Sequence, residues 1–184
     1  GAADIPLAPN GILLAEKTGE ALKDIRFDLC FSSPLARARK TAELILDSQT
    51  GEVPVIEDKR IQEINFGELE GVICFNDAHE YLNPEMEKFF TDPWKFKRPK
   101  HGENIADILA RTKDFWDEKI HDPSLLDKTI LIASHGCAVR ALLQNVYQDP
   151  ENFWHGCVPP NCSVNVVEVK DGQAVLLEED KVYA

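Results

Sequence analysis

A chain of 184 residues, 43% of them hydrophobic, has the length of one ordinary domain and can bury a single substantial core. Its 32 acidic against 20 basic residues give a formal charge of -12, which repels a nucleic-acid backbone and offers no attraction to an anionic membrane surface. Five scattered cysteines (Cys30, Cys74, Cys137, Cys157 and Cys162) form no Cys-x-x-Cys pair and read as reduced thiols, the usage expected in the cytoplasm.

Ile12, Ala15, Leu22 and Ile25 follow Gly11 near helical spacing and predict an amphipathic helix over 11–25. The apolar run in Phe27 to Ser33 predicts a strand, and Ser32-Ser33-Pro34 suits a strand end that becomes a helix start, with Arg37 in the first turn. Val53 to Ile56 is a further short strand, and Gly67 and Gly71 bracket a turn just after Glu63. From 72 to 100 the pattern weakens around Pro84, Pro93 and Pro99, and carries a basic cluster (Lys95, Lys97, Arg98, Lys100). This stretch is expected to be a lid-like, Pro-broken, mostly helical insertion over the site.

A helical stripe returns with Ile105, Ile108, Leu109, Phe115, Trp116 and Ile120. Thr129 to Ala133 is unbroken apolar sequence, as in a strand covered on both faces, and Ser134-His135-Gly136 ends it before a helix from Cys137 to Tyr147. Alternation in Val164-Asn165-Val166 and the Asp171-Gly172 turn before Ala174 to Leu177 predict a terminal antiparallel hairpin. Together these predict one α/β domain, a three-layer α/β/α sandwich with a mostly parallel mixed sheet and a C-terminal antiparallel hairpin.

Two strand-to-helix junctions carry Arg37 and His135 towards the carboxyl edge of the sheet, where open α/β sheets collect ligands. An arginine fork, an imidazole and the N–H groups of Gly136 and Cys137 at a helix start would together make an anion site, and Glu63 with a raised pKa would supply a proton. Each residue alone also has a plainer reading: a packed His135, an Arg37 paired with Glu43 on its helix, a surface Glu63, and a solvated basic cluster.

The ordered set of motifs narrows the choice. Ser32-Ser33-Pro34-Leu35-Ala36-Arg37-Ala38 with Thr41-Ala42, Glu63-Ile64-Asn65-Phe66-Gly67-Glu68-Leu69-Glu70-Gly71, His101-Gly102-Glu103-Asn104, and Ser134-His135-Gly136 with Arg140 resemble in order the motifs of histidine phosphatases, the phosphoglycerate-mutase-like superfamily. Asp4-Ile5-Pro6-Leu7 with Gly11 resembles the segment that follows the family's opening motif.

The resemblance implies metal-independent phosphoryl transfer through a phosphohistidine, without a cofactor, on a small phosphorylated metabolite. On matching positions Arg37 is similar to the second phosphate-binding arginine, Glu63 to the proton donor, and His135 to the second histidine. The attacking histidine of the family belongs to an Arg-His-Gly strand that would precede Gly1. That strand would lie between those matched by 129–133 and 163–169, so these two are expected to stand roughly 10 Å apart rather than hydrogen-bonded. A phosphatase of small monoesters is the first expectation, because 72–100 is short and holds one arginine where mutases carry a longer segment with paired arginines. Mutase activity is the alternative within the family, and a catalytically inactive regulatory relative the alternative of another class. A zinc site from His135-Gly136-Cys137, His155-Gly156-Cys157 and Cys162 is disfavoured by its spacing.

Overall fold

The computed structural model describes residues 1–183. The apolar run after Phe27 becomes β1 (Leu29–Ser32), whose side chains sort by parity, as a pleated strand requires. Cys30 packs with Ala42, Leu46, Val55, Leu131 and Ala133, while Phe31 packs with Ile61, Phe115 and Leu142. A strand buried on both faces belongs at a sheet centre, and β1 lies between β2 (Val55–Glu57) and β3 (Ile130–Ala133), parallel to both. Helix α2 (Ala36–Leu46), with α1 (Pro9–Ala21) packed against it, covers the Cys30 face. Helices α4 (Ile105–His121) and α5 (Gly136–Leu143) cover the Phe31 face, which completes three layers.

Local chemistry sets several boundaries away from those read from periodicity. α1 starts at Pro9, whose fixed φ suits a first helical position, and stops four residues before Ile25. β1 starts two residues after Phe27, whose N–H is taken by the Gln49 side chain. α5 begins at Gly136 and ends at Leu143, with turns continuing to Tyr147. α4 starts where Asn104 and Asp107 form a reciprocal capping box.

Residues 72–100 contain less helix than predicted: an antiparallel bridge between Phe75 and Tyr81, then α3 (Pro84–Thr91) and a 3-10 turn at Pro93–Lys95. Their apolar side chains do not sit loosely on top. Met86, Phe89 and Phe96 join Ile64, Phe66, Ile105, Ile108 and Trp154 in the largest core cluster, with T-shaped ring pairs Phe66–Phe89 and Phe89–Trp154. The basic cluster is partly spent on neighbours, since Lys95 pairs with Asp92 and Arg98 with Asp107.

The chain ends in a hairpin of β4 (Val164–Lys170) and β5 (Gln173–Lys181), turning on Asp171 and Gly172 at φ 51° and 74°. Among the described residues the hairpin is a sheet of its own, and β3 and β4 are not hydrogen-bonded to each other. Ile132 in β3 is 40% exposed and Val166 in β4 36% exposed, an unusual state for strands of such apolar sequence. The link between hairpin and core is polar: fully buried Arg140 on α5 pairs with Glu179 and Asp180 of β5.

Candidate active site

The register Ser32↔Ala133 sets the carboxyl ends of β1 and β3 side by side, so the segments that follow them must meet. After β1 comes buried Ser33, and after β3 comes His135, the N-cap of α5. The His135 Nε2 atom lies 2.8 Å from Ser33 Oγ, which also accepts the Leu35 N–H at 3.3 Å. Ser134 Oγ donates to the Ile61 carbonyl at 2.7 Å and so ties this junction to the segment that carries Glu63. Burial pushes the His135 imidazole down to about 3, helped by the positive charges of Arg37 and Arg111. At neutral pH the ring is therefore uncharged.

Glu63 follows fully buried Ile61 and precedes fully buried Ile64, whose anchoring turns its carboxyl inward against the start of α5. Its Oε1 accepts the N–H groups of Ile64 (2.9 Å) and Ala138 (3.2 Å), and its Oε2 accepts that of Cys137 (3.2 Å). Burial raises the pKa of Glu63 above the ordinary carboxylate value, opposed by those three donors. Desolvation outweighs the donors, which leaves an acid biased towards holding its proton.

Cys137 was expected to offer its N–H to substrate, but Glu63 already occupies that donor. The Cys137 thiol is buried, and burial together with the Glu63 charge holds its pKa well above the ordinary thiol value. The Gly136 N–H donates to no protein acceptor among the described residues.

Arg37 stands in the first turn of α2 near His135, and its two terminal nitrogens donate to the carbonyls of Ala3 (2.7 Å) and Gly1 (2.8 Å). Glu43 is not its partner. That carboxylate pairs with Arg39 and Lys40, one turn away or less on the same helix. Residues 1–4 bridge the rim: Asp4 accepts the Ala36 N–H at 2.7 Å, and the Ala2 N–H donates to Glu70 at 2.7 Å. Arg37, Glu63 and His135 therefore converge on one region beyond the strand ends.

Glycines let the loops around Glu63 close up. A Cβ on Gly67, at φ 55°, would meet the Lys100 carbonyl at 2.2 Å, and one on Gly102 would meet the Asn65 carbonyl at 2.8 Å. The residue-type reading left three participants without a role. Ser33 and Glu103 lay inside recognised motifs, with Glu103 directly before the Asn104 cap of α4, and Arg111 lies inside that helix.

The two His-Gly-Cys repeats have unrelated surroundings. His155 stacks on Tyr147 with centroids 3.4 Å apart, the Cys157 carbonyl accepts from Arg140, and Cys162 Sγ takes the Thr18 hydroxyl at 3.4 Å. No helix among the described residues is long and apolar enough to cross a membrane.

Comparison with known proteins agrees with this architecture. The chain is 31% identical over 160 residues to a 2,3-bisphosphoglycerate-dependent phosphoglycerate mutase of Cytophaga hutchinsonii, covering 84% of this chain and 72% of that protein. Its fold is similar to that of Bacillus stearothermophilus YhfR, with a TM-score of 0.85 at 24% identity over 99% of this chain and 88% of the other. It is also similar to a phosphoserine phosphatase of Entamoeba histolytica, with a TM-score of 0.71 at 26% identity over 97% and 85% of the two chains. Residues 1–180 match the model of the histidine phosphatase superfamily (branch 1), and the chain belongs to that superfamily.

Proposed function

We propose that this protein is a phosphatase of small phosphate monoesters, working through a phosphohistidine whose nucleophilic histidine lies on a strand upstream of Gly1. The observation that carries this reading is the Glu63 carboxyl, buried, pushed up in pKa and aimed at the start of α5 beside neutral His135. In the first step the upstream imidazole nitrogen attacks phosphorus in line and the ester P–O bond breaks. Glu63 gives its proton to the leaving oxygen. In the second step Glu63, now a carboxylate, takes a proton from water as that oxygen attacks phosphorus, and the P–N bond breaks to release phosphate.

Arg37, His135 and the free Gly136 N–H are the donors for the phosphoryl oxygens. An arriving phosphate dianion raises the pKa of His135 and so biases the ring towards the charged form, while the neutral ring already offers the anion an N–H donor. This suits a chain with a net charge of -12, in which attraction for phosphate has to be local.

The upstream strand is supported by the sheet itself. β3 pairs only with β1 among the described residues, and Ile132 and Val166 are part-exposed on strands too apolar for an outer edge. A strand inserted between β3 and β4 would pair both.

Mutase activity is the second reading, favoured by the names of the curated relatives. Against it stands Arg98, the one arginine of 72–100, which is held by Asp107 rather than left for a second substrate carboxylate or phosphate.

The test uses protein carrying its upstream sequence, assayed in chelator on alkyl and aryl phosphate monoesters and on phosphoglycerate. Hydrolysis that falls by about 10²–10⁴ in Glu63→Gln, with KM little changed, is expected. Full activity in Glu63→Gln, strict dependence on added metal, or isomerisation faster than hydrolysis would overturn the reading.

A further inference from the structure

Arg111 on α4 uses every donor of its guanidinium. Its Nε and one terminal nitrogen grip Glu103 bidentately at 2.7 and 2.9 Å. The other terminal nitrogen donates to the carbonyls of Arg60 and Gln62, both at 2.8 Å, and the last N–H to the Glu63 carbonyl at 3.1 Å. Five N–H groups meet five acceptors, which is the full capacity of an arginine. Glu103 completes the grip on the far side of Glu63, since its Oε2 accepts the Asn65 N–H at 2.9 Å and its own N–H donates to the Asn65 carbonyl at 2.7 Å. One ion pair, with side chains only 18% and 21% exposed, thus holds backbone groups of residues 60, 62, 63 and 65.

We propose that the Arg111–Glu103 pair is the positioning device for Glu63, fixing the backbone from which the carboxyl is aimed at the leaving oxygen. The inference rests on the reading of Glu63 as proton donor. Neither Arg111 nor Glu103 touches the reacting atoms. Their effect is geometric, because a proton donor displaced by about 1 Å can cost about a hundredfold in rate. Lysine at 111 keeps the charge but offers three donors from one point, and cannot span a carboxylate and three carbonyls at once. The carbonyls it abandons would turn towards water and loosen the segment.

A proton donor matters most when the leaving group is a poor one, and this separates positioning from mere scaffolding. In protein carrying its upstream sequence, Arg111→Lys should lower kcat for an alkyl phosphate by about ten- to a hundredfold. The first-turnover (burst) release of p-nitrophenolate from p-nitrophenyl phosphate, which reads phosphorylation of the enzyme before Glu63 acts as base towards water, should change by less than about threefold, since nitrophenolate leaves without a proton. In a Glu63→Gln background the same substitution should cost less than about twofold, because its effect runs through a group already removed. Glu103→Gln, which leaves the arginine in place but removes the charge from its fork, should follow the same pattern and carries the test if Arg111→Lys does not fold. Equal losses on both substrates, or the full loss repeated in the Glu63→Gln background, would overturn the positioning role alone. Full alkyl phosphatase activity in Glu63→Gln by itself would overturn the reading of Glu63 on which it rests.

Discussion

At the scale of the residue, the site pairs two groups whose surroundings drive their titrations in opposite directions relative to neutral pH. His135 is held uncharged by burial and positive neighbours, with a pKa of about 3, while Glu63 is pushed upward by burial. The consequences for stability follow by linkage. Unfolded, His135 takes a proton near its ordinary 6.5, whereas folded it does so only near 3. Between those values the unfolded chain binds more protons, and this residue makes the protein less stable as pH falls through that window. His135→Gln should therefore flatten the pH dependence of unfolding free energy between pH 6.5 and 3, measured by urea denaturation at several pH values. An unchanged slope would mean that the imidazole is not buried as described. The same ring should report ligand: inorganic phosphate or vanadate added to the protein should move its NMR titration upward. A ring that titrates identically with and without the anion would remove His135 from the anion site.

At the scale of the element, charged side chains do at long range what apolar packing does elsewhere. Arg140 is fully buried in α5 and donates to the Cys157 carbonyl, the Tyr147 hydroxyl, Glu179 and Asp180. It pins both the hairpin and the loop whose Val158 lies over Gly136. Arg140→Met should destabilise the protein by about 3 kcal/mol, since the stranded carboxylates lose their counter-charge, although their partial exposure lets water recover some of the loss. Denaturant titration gives the value, and a loss under about 1 kcal/mol would place the hairpin's attachment elsewhere. The start of α4 is a smaller case. Asn104→Ala removes one half of the capping box and should cost about 1 kcal/mol. Because the carboxylate partner of Arg111 directly precedes that cap, loosening it should also lower the alkyl phosphatase activity proposed above.

At the scale of the whole molecule, the open edges of β3 and β4 lead to a prediction about the upstream strand proposed above. Addition of the native upstream sequence should raise the unfolding temperature and slow amide hydrogen exchange along the β3 edge facing away from β1 and along β4. Such a strand would give these solvent-facing N–H and C=O groups ladder partners and cover the exposed apolar side chains of β3 and β4. Exchange rates along β3 and β4 that are identical with and without the upstream residues would show that no strand inserts there.

The order of elements, the parallel core strands and the hairpin turn were legible from the chain, because hydrophobic period, prolines and glycines act over a few residues. Strand ends and ordered motifs singled out Arg37, Glu63 and His135 as candidates, and the fold brings those three to one region. The helix boundaries at Pro9 and Leu143 were less legible, because caps and side-chain bonds such as Gln49 to Phe27 compete with periodicity. Packing alone settled which donor meets which acceptor. Arg111 reaches carbonyls 48 to 51 residues upstream, and Glu63 takes N–H groups 74 and 75 residues downstream, including the Cys137 donor assigned in sequence to substrate. Which residues carry charge and where the backbone turns are properties of the chain before it folds. The assignment of each donor to one acceptor is a property of packed distance, and desolvation, which moves Glu63 up and His135 down, exists only once the chain has closed around them.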